Sequence, residues 1–289
     1  MKATSDDQLH PVQARRRSPA LLVMGVVVAA LAAFLLLRGG DDADDSAPAG
    51  ASSSAGVPAP PVAALPPAPD IPRQPVTVVA PSPAPAAEEA PEPAPPPTAE
   101  EADAMLLGTL QASSLEPQLL ALLNVAHPLD VSVAMVDWLA QGVVPRKLLA
   151  VPALPAFPVT ENDDGQLVMG DAAYARYDGL ARAVAAADTA ALAAGFHKLR
   201  PLLEGAYGKL GLDEDKFDNA LIRALDQVLA TPEIAGPIPL ARKSVMYTYA
   251  DPALEQLPDV QKQLLRMGPD NLRVIKEQAR TLRQQLLAE

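Results

Sequence analysis

Tyr174, Arg176, Tyr177 and Asp178 place two phenols, a guanidinium and a carboxylate in one short string, Tyr174-Ala175-Arg176-Tyr177-Asp178. Such a set could line a ligand cleft, with the Arg176 fork gripping an anion and tyrosine hydroxyls beside it. It could equally serve the fold, with Arg and Tyr heads pinning a hairpin to a helix through charge-assisted bonds. Arg176 and Asp178 are two positions apart, so on a helix they point to different faces. The structural use is the one expected, and no catalytic residue is assigned.

A second set lies near the C-terminus. Leu272, Ile275, Ala279, Leu282 and Leu286 recur at three-to-four spacing, and Arg273, Lys276, Arg280 and Arg283 follow one residue behind. An apolar seam with a solvated basic flank is the plain reading, and cations near a helix C-terminus are favourable in any case. The sharper reading is a docking face for a partner helix or an anionic envelope polymer.

Other polar groups have simpler uses. Asp213, Glu214, Asp215 and Asp218 could pose as paired carboxylates for glycoside chemistry, but capping and the helix dipole account for acids at a helix start. Asn162-Asp163-Asp164-Gly165 lacks the first acid and the last glutamate of a calcium loop and reads as a turn. His127 and His197 are the histidines outside the N-terminal tail, and the chain has no cysteine, so neither a metal site nor a cofactor is expected. The missing cysteines also exclude disulfides, thiolate catalysis and an acylated-cysteine anchor. A net charge of -12 argues against general binding to nucleic acid, because releasing counterions from phosphates needs basic surface.

The elements that must carry these groups begin after three non-globular stretches. Residues 1–19 form a tail containing Arg15, Arg16 and Arg17. Residues 20–37 are uncharged and apolar, about 27 Å as a helix, and read as a membrane span rather than a shorter, cleavable signal core. The arginines before the span put the N-terminus in the cytoplasm, since the positive-inside rule counts basic residues. Residues 38–97 form a Pro/Ala-rich linker holding 17 of the 32 prolines. It cannot bury enough apolar surface to offset ordering entropy and is expected to be disordered and extended. Residues 98–289 should form one compact, mainly α, multi-helix domain. Thr98 and Glu101 make a capping box. Short helices are expected over 116–123 and 129–141, then a small β-hairpin around Asp164-Gly165. Further helices should run from Asp171 to about Ala187, from Asp188 with a kink or break at Pro201, and from Asp213 to a stop before Pro232, and Gly268-Pro269 should separate a short helix from a final one over Asp270 to Leu287. Val245 to Tyr249 alternates like a short strand.

Several strings carry a family likeness. They are Tyr174-Ala175-Arg176-Tyr177-Asp178, Leu199-Arg200-Pro201-Leu202-Leu203, Leu229-Ala230-Thr231-Pro232-Glu233-Ile234, Ser244-Val245-Met246-Tyr247 and Gln261-Lys262-Gln263-Leu264-Leu265-Arg266-Met267-Gly268-Pro269-Asp270-Asn271. In this order, over roughly Leu106 to Leu287, the chain resembles the bacterial domain-of-unknown-function 3014 family. The resemblance implies a membrane-tethered protein of Gram-negative type and no particular activity.

These features lead to the expectation of a single-pass inner-membrane protein with a periplasmic domain. It would be a binding or adaptor module for an envelope protein or cell-wall polymer. The alternatives are an envelope enzyme acting on glycan through the Tyr/Arg/Asp cluster and a structural subunit of an inner-membrane complex.

Overall fold

A computed structural model describes residues 65–73, 97–111, 113, 125–144, 157–243 and 246–288. The expected span over 20–37 and the expected helix over 116–123 lie outside these residues. Among the described residues no helix is long and apolar enough to cross a membrane.

The fold is mainly helical with a small antiparallel sheet. In chain order the elements are α1 (Ala99–Gln111), α2 (Pro128–Ala140), β1 (Thr160–Glu161), β2 (Leu167–Met169), α3 (Asp171–Tyr174), α4 (Asp178–Ala185), α5 (Thr189–Lys209), α6 (Phe217–Leu229), β3 (Ile238–Lys243), β4 (Met246–Tyr249), α7 (Pro252–Glu255), α8 (Asp259–Leu265) and α9 (Gly268–Leu287). A 3-10 turn joins α3 to α4, and another, Glu214–Lys216, precedes α6.

Starts and stops follow local chemistry. The Thr98 hydroxyl accepts from the Glu101 amide at 3.3 Å, and the Glu101 carboxylate accepts from the Thr98 amide at 2.8 Å. The Thr98 amide and hydroxyl both donate to the Glu101 carboxylate and hold it below its usual range. Asp188 caps α5 by accepting from the amides of Ala190 and Ala191. The core forms where apolar stripes at helical spacing meet: α2 packs on α5 and α6, and α9 packs on α4, α5 and α6. Phe217, Leu221, Leu225 and Val228 of α6 and Leu272, Ile275, Leu282 and Leu286 of α9 are buried, as their spacing predicts.

Three expectations need correction. The single hairpin is part of a four-stranded sheet in the order β1-β2-β3-β4. β3 lies within the proline-rich corner after α6. Ile238 and Leu240 turn inward there, while Pro239 sits opposite Val168. Second, Pro201 does not break α5, which continues to Lys209. Pro201 is exposed, so its ring faces solvent, where the carbonyl it leaves unbonded can be hydrated. Third, the linker over 38–97 is not uniformly without structure. Residues 65–73, in no helix or strand and kept extended by their prolines, lie as a strap on the domain, and Ile71 is 2% exposed within the core.

Candidate functional site

The Tyr174–Asp178 string sits where the sheet joins the helices, and its polar heads are turned to neighbouring structure. The Tyr174 hydroxyl donates to the Met169 carbonyl at 2.9 Å and also lies 3.3 Å from the Gly236 carbonyl. Burial pushes this phenol above its ordinary pKa. Tyr177 is 1% exposed in the main core. The Arg176 guanidinium stands 5.6 Å from the Phe157 ring centre and 5.8 Å from that of Tyr177. Asn271 ties the string to α9: its amide donates to the Tyr174 carbonyl at 3.2 Å, to the Asp178 carboxylate at 2.9 Å and to the Met267 carbonyl at 3.1 Å. A shallow depression of about 290 Å³ has Tyr174, Asp178 and Asn271 in its walls, but not Arg176 or Tyr177. The structure therefore does not bring all four residues to one cleft. Arg176→Ala should lower stability by about 1–2 kcal/mol through lost cation–π contact and packing. Thermal melting checks this, and Phe157→Ala in the Arg176→Ala background should cost less than it does alone.

The basic stripe of α9 is met by carboxylates. Arg273 lies 2.9 Å from Asp270 and 4.0 Å from Glu233. Lys276 lies 2.9 Å from Glu233 and donates to the Thr231 carbonyl at 2.9 Å. Arg280 pairs with Glu277 at 2.5 Å and Arg283 with Asp226 at 2.7 Å. The Lys276 hydrogen bond is the main cause that holds Glu233 below the usual carboxylate range. Lys276 and Arg283 thus fasten α9 to the end of α6 and its following turn, and only part of the stripe faces solvent.

The other groups separate cleanly. The Asn162 side chain accepts from the amides of Asp164 and Gln166, so it is used in building the turn. Among the described residues no cluster could hold a metal ion. Asp213 caps the 3-10 turn before α6 by accepting from the Asp215 amide at 3.2 Å. His197 on α5 packs edge-on against Phe196, and its Nε2 is buried with no hydrogen-bond partner among the described residues. Burial, with the Arg200 charge added, lowers its pKa. The unfolded chain then binds a proton more readily than the folded one. Stability from this group is complete above about pH 6.5 and is lost as pH falls below that value toward the folded pKa. Melting followed between pH 7.5 and 5.5 should fall, and His197→Phe should flatten the fall.

At the strap and its seat, buried polar groups converge on an extended segment. The seat is formed by α5, α6 and the 3-10 turn between them. Arg200 and Asp218 form a buried ion pair, with side chains 8% and 4% exposed. Arg200 also pairs with Glu204 at 3.0 Å. The same guanidinium donates to the main-chain carbonyls of Ile71 at 3.1 Å and Pro72 at 3.2 Å. Asn219 donates to the Ala68 carbonyl at 3.0 Å and to the Asp70 carboxylate at 2.8 Å. Arg73 reaches Glu204 at 3.0 Å and Asp215 at 3.6 Å. Toward the N-terminal end of the strap a cavity of about 520 Å³ opens between Pro67, Asp137, Tyr207 and Arg223. The Tyr207 hydroxyl there donates to Asp137 at 2.8 Å, and burial, with that carboxylate added, pushes the phenol well above its ordinary pKa.

Sequence alone does not single out this seat, because Asp218 falls among the acids at a helix start. A signal was present. Arg200 interrupts the stripe Phe196, Leu199, Leu203, Tyr207, and Asp218 stands three, four and seven residues before Leu221, Ile222 and Leu225. A charge inside an apolar stripe is buried only when it is paired.

Comparison with curated proteins and with solved structures finds no match. A family model described as "Protein of unknown function (DUF3014)" matches residues 130–283. The matched stretch includes the Tyr174–Asp178 string, both members of the buried ion pair and the Gly268–Asn271 turn, while the strap lies before it. With more than half of its length covered and the expected strings inside the match, the chain belongs to the DUF3014 family.

Proposed function

We propose that this protein is a membrane-anchored binding or adaptor module of the bacterial envelope. In this reading residues 20–37 span the inner membrane with the N-terminus in the cytoplasm, and the helical domain stands in the periplasm. The observation that carries the binding role is the strap. Side chains of the domain grip the main chain of an extended, proline-flanked segment, which is how many recognition modules hold peptides. The charge asymmetry around residues 20–37 supports the anchor. With residues 65–73 docked, the reach from the membrane is set by residues 38–64, on the order of 80 Å if extended. A partner within that reach meets the domain at raised effective concentration.

The test has two parts in living cells. A phosphatase that is active only after export, fused behind Glu289, should be active; activity confined to a cytosolic reporter overturns the topology. Photo-crosslinking from exposed positions on the domain should give one dominant adduct that survives replacement of residues 1–64 by an unrelated anchor and spacer. Absence of any adduct from every position overturns the binding role.

A further inference from the structure

We propose that the seat on α5 and α6 is an exchangeable peptide-binding site. Its ligand class is an extended segment carrying an acidic residue, an aliphatic residue, proline and a basic residue in succession. Residues 65–73 are its occupant within the chain, and the same segment of a second copy is its occupant in trans.

Four features make the strap a ligand rather than an ordinary piece of core. Its main chain is read by side chains of the seat: Arg200 donates to two successive carbonyls, and Asn219 to a third. Its charges are answered individually, with Asp70 on Asn219 and Arg73 on Glu204 and Asp215. It inserts one apolar side chain, Ile71, into the core between Asp70 and Pro72. It carries Pro66, Pro67, Pro69 and Pro72, which hold the free segment near its bound conformation and reduce the entropy lost on docking.

The seat's donors are fixed by contacts within the domain. Asp218 and Glu204 hold the Arg200 guanidinium on α5, so its donors to Ile71 and Pro72 are positioned by the domain. Residues 74–96 separate the strap from the domain in sequence, so docking within the chain is an intramolecular event at an effective concentration of roughly millimolar. Two copies anchored side by side in one membrane present their straps to each other in the same concentration range, which makes a second copy the natural source of a competing segment.

This inference rests on the reading of the domain as a binding module, but its test uses purified protein and is blind to location in the cell. A fluorescent peptide of sequence Leu65–Arg73 is titrated into the detergent-solubilised whole chain. Three forms are compared: wild type, Ile71→Asp, and a chain with residues 66–73 replaced by Gly and Ser. The two strap variants should bind the peptide saturably and at least tenfold more tightly than wild type. Asn219→Ala, added to the replaced-strap chain, should weaken binding about tenfold, and a peptide with aspartate in the Ile71 position should not bind. In liposomes that hold both chains, where the two copies share the raised concentration, replaced-strap chains and wild type should form a heterodimer, trapped by crosslinking, that excess free peptide dissolves. Equal affinity of wild type and the strap variants places the peptide elsewhere and overturns the proposal, as does failure of both folded strap variants to bind. A heterodimer that excess peptide leaves intact, or no heterodimer with a seat that does bind peptide, removes the second copy as the source. Far-UV circular dichroism identifies any variant that fails to fold, and the replaced-strap chain then carries the test.

Discussion

Arg200→Ala should cost about 3–5 kcal/mol of stability, the largest effect of any single substitution at the seat, because it leaves Asp218 charged, buried and unmatched. Asp218 Oδ1 already has no hydrogen-bond partner among the described residues, and the opposite carboxylate oxygen relies on Arg200. Removing the guanidinium also strands the carbonyls of Ile71 and Pro72 at the strap. The informative comparison is Arg200→Met with Asp218→Leu. Replacing a whole buried pair by apolar groups of similar volume is often neutral or stabilising, so the double variant should melt well above Arg200→Ala while no longer holding the strap. Denaturant unfolding measures the first effect, and trypsin cleavage after Arg73 measures the second. A double variant no more stable than Arg200→Ala would show that the site needs its charges for packing and not only for each other.

Gly268→Ala should cost about 2–5 kcal/mol, from the left-handed backbone and from overpacking together. Gly268 has φ +79°, and a Cβ built there would lie 2.4 Å from Cγ of Tyr174. That ring cannot easily yield, since its hydroxyl is held by the Met169 carbonyl and its own carbonyl by Asn271. Gly211 supplies the control. It has φ +82° with open space around it, so Gly211→Ala should cost only the backbone part, about 1–2 kcal/mol. The difference in melting between the two alanines isolates the contact with Tyr174. Equal losses would mean that the close approach is relieved by movement of α9.

The two experiments address the parts of the molecule that were least and most legible beforehand. Gly268-Pro269 was visible as a break between helices, because glycine after a helix and proline at the next first turn are local signals. The reason for the glycine was not visible, since Tyr174 lies far away in the chain. Arg200 and Asp218 each stood in an apolar stripe, yet nothing local says which buried charge meets which. The polar string at Tyr174–Asp178 reads from sequence as either a ligand cleft or a structural pin, and only the fold shows where its heads go: Tyr174 to the Met169 carbonyl, Tyr177 into the core and Arg176 beside the Phe157 ring. The second hairpin was half seen: β4 alternates openly, whereas β3 is hidden by Pro237 and Pro239, which lower strand propensity at positions the sheet tolerates.

Residue types and their local spacing set the helical class of the domain, its caps and stops, the apolar faces of α6 and α9 and the turn of the first hairpin. All of these are set by residues within a few positions of one another, through backbone sterics, capping and periodicity. That a stretch of the proline-rich linker belongs to the domain follows from long-range packing. Its composition favours an extended and solvated chain, and local physics gives it no other preference. What reverses that outcome is a seat assembled from two helices more than a hundred residues away, offering a pocket for one isoleucine and donors for three carbonyls.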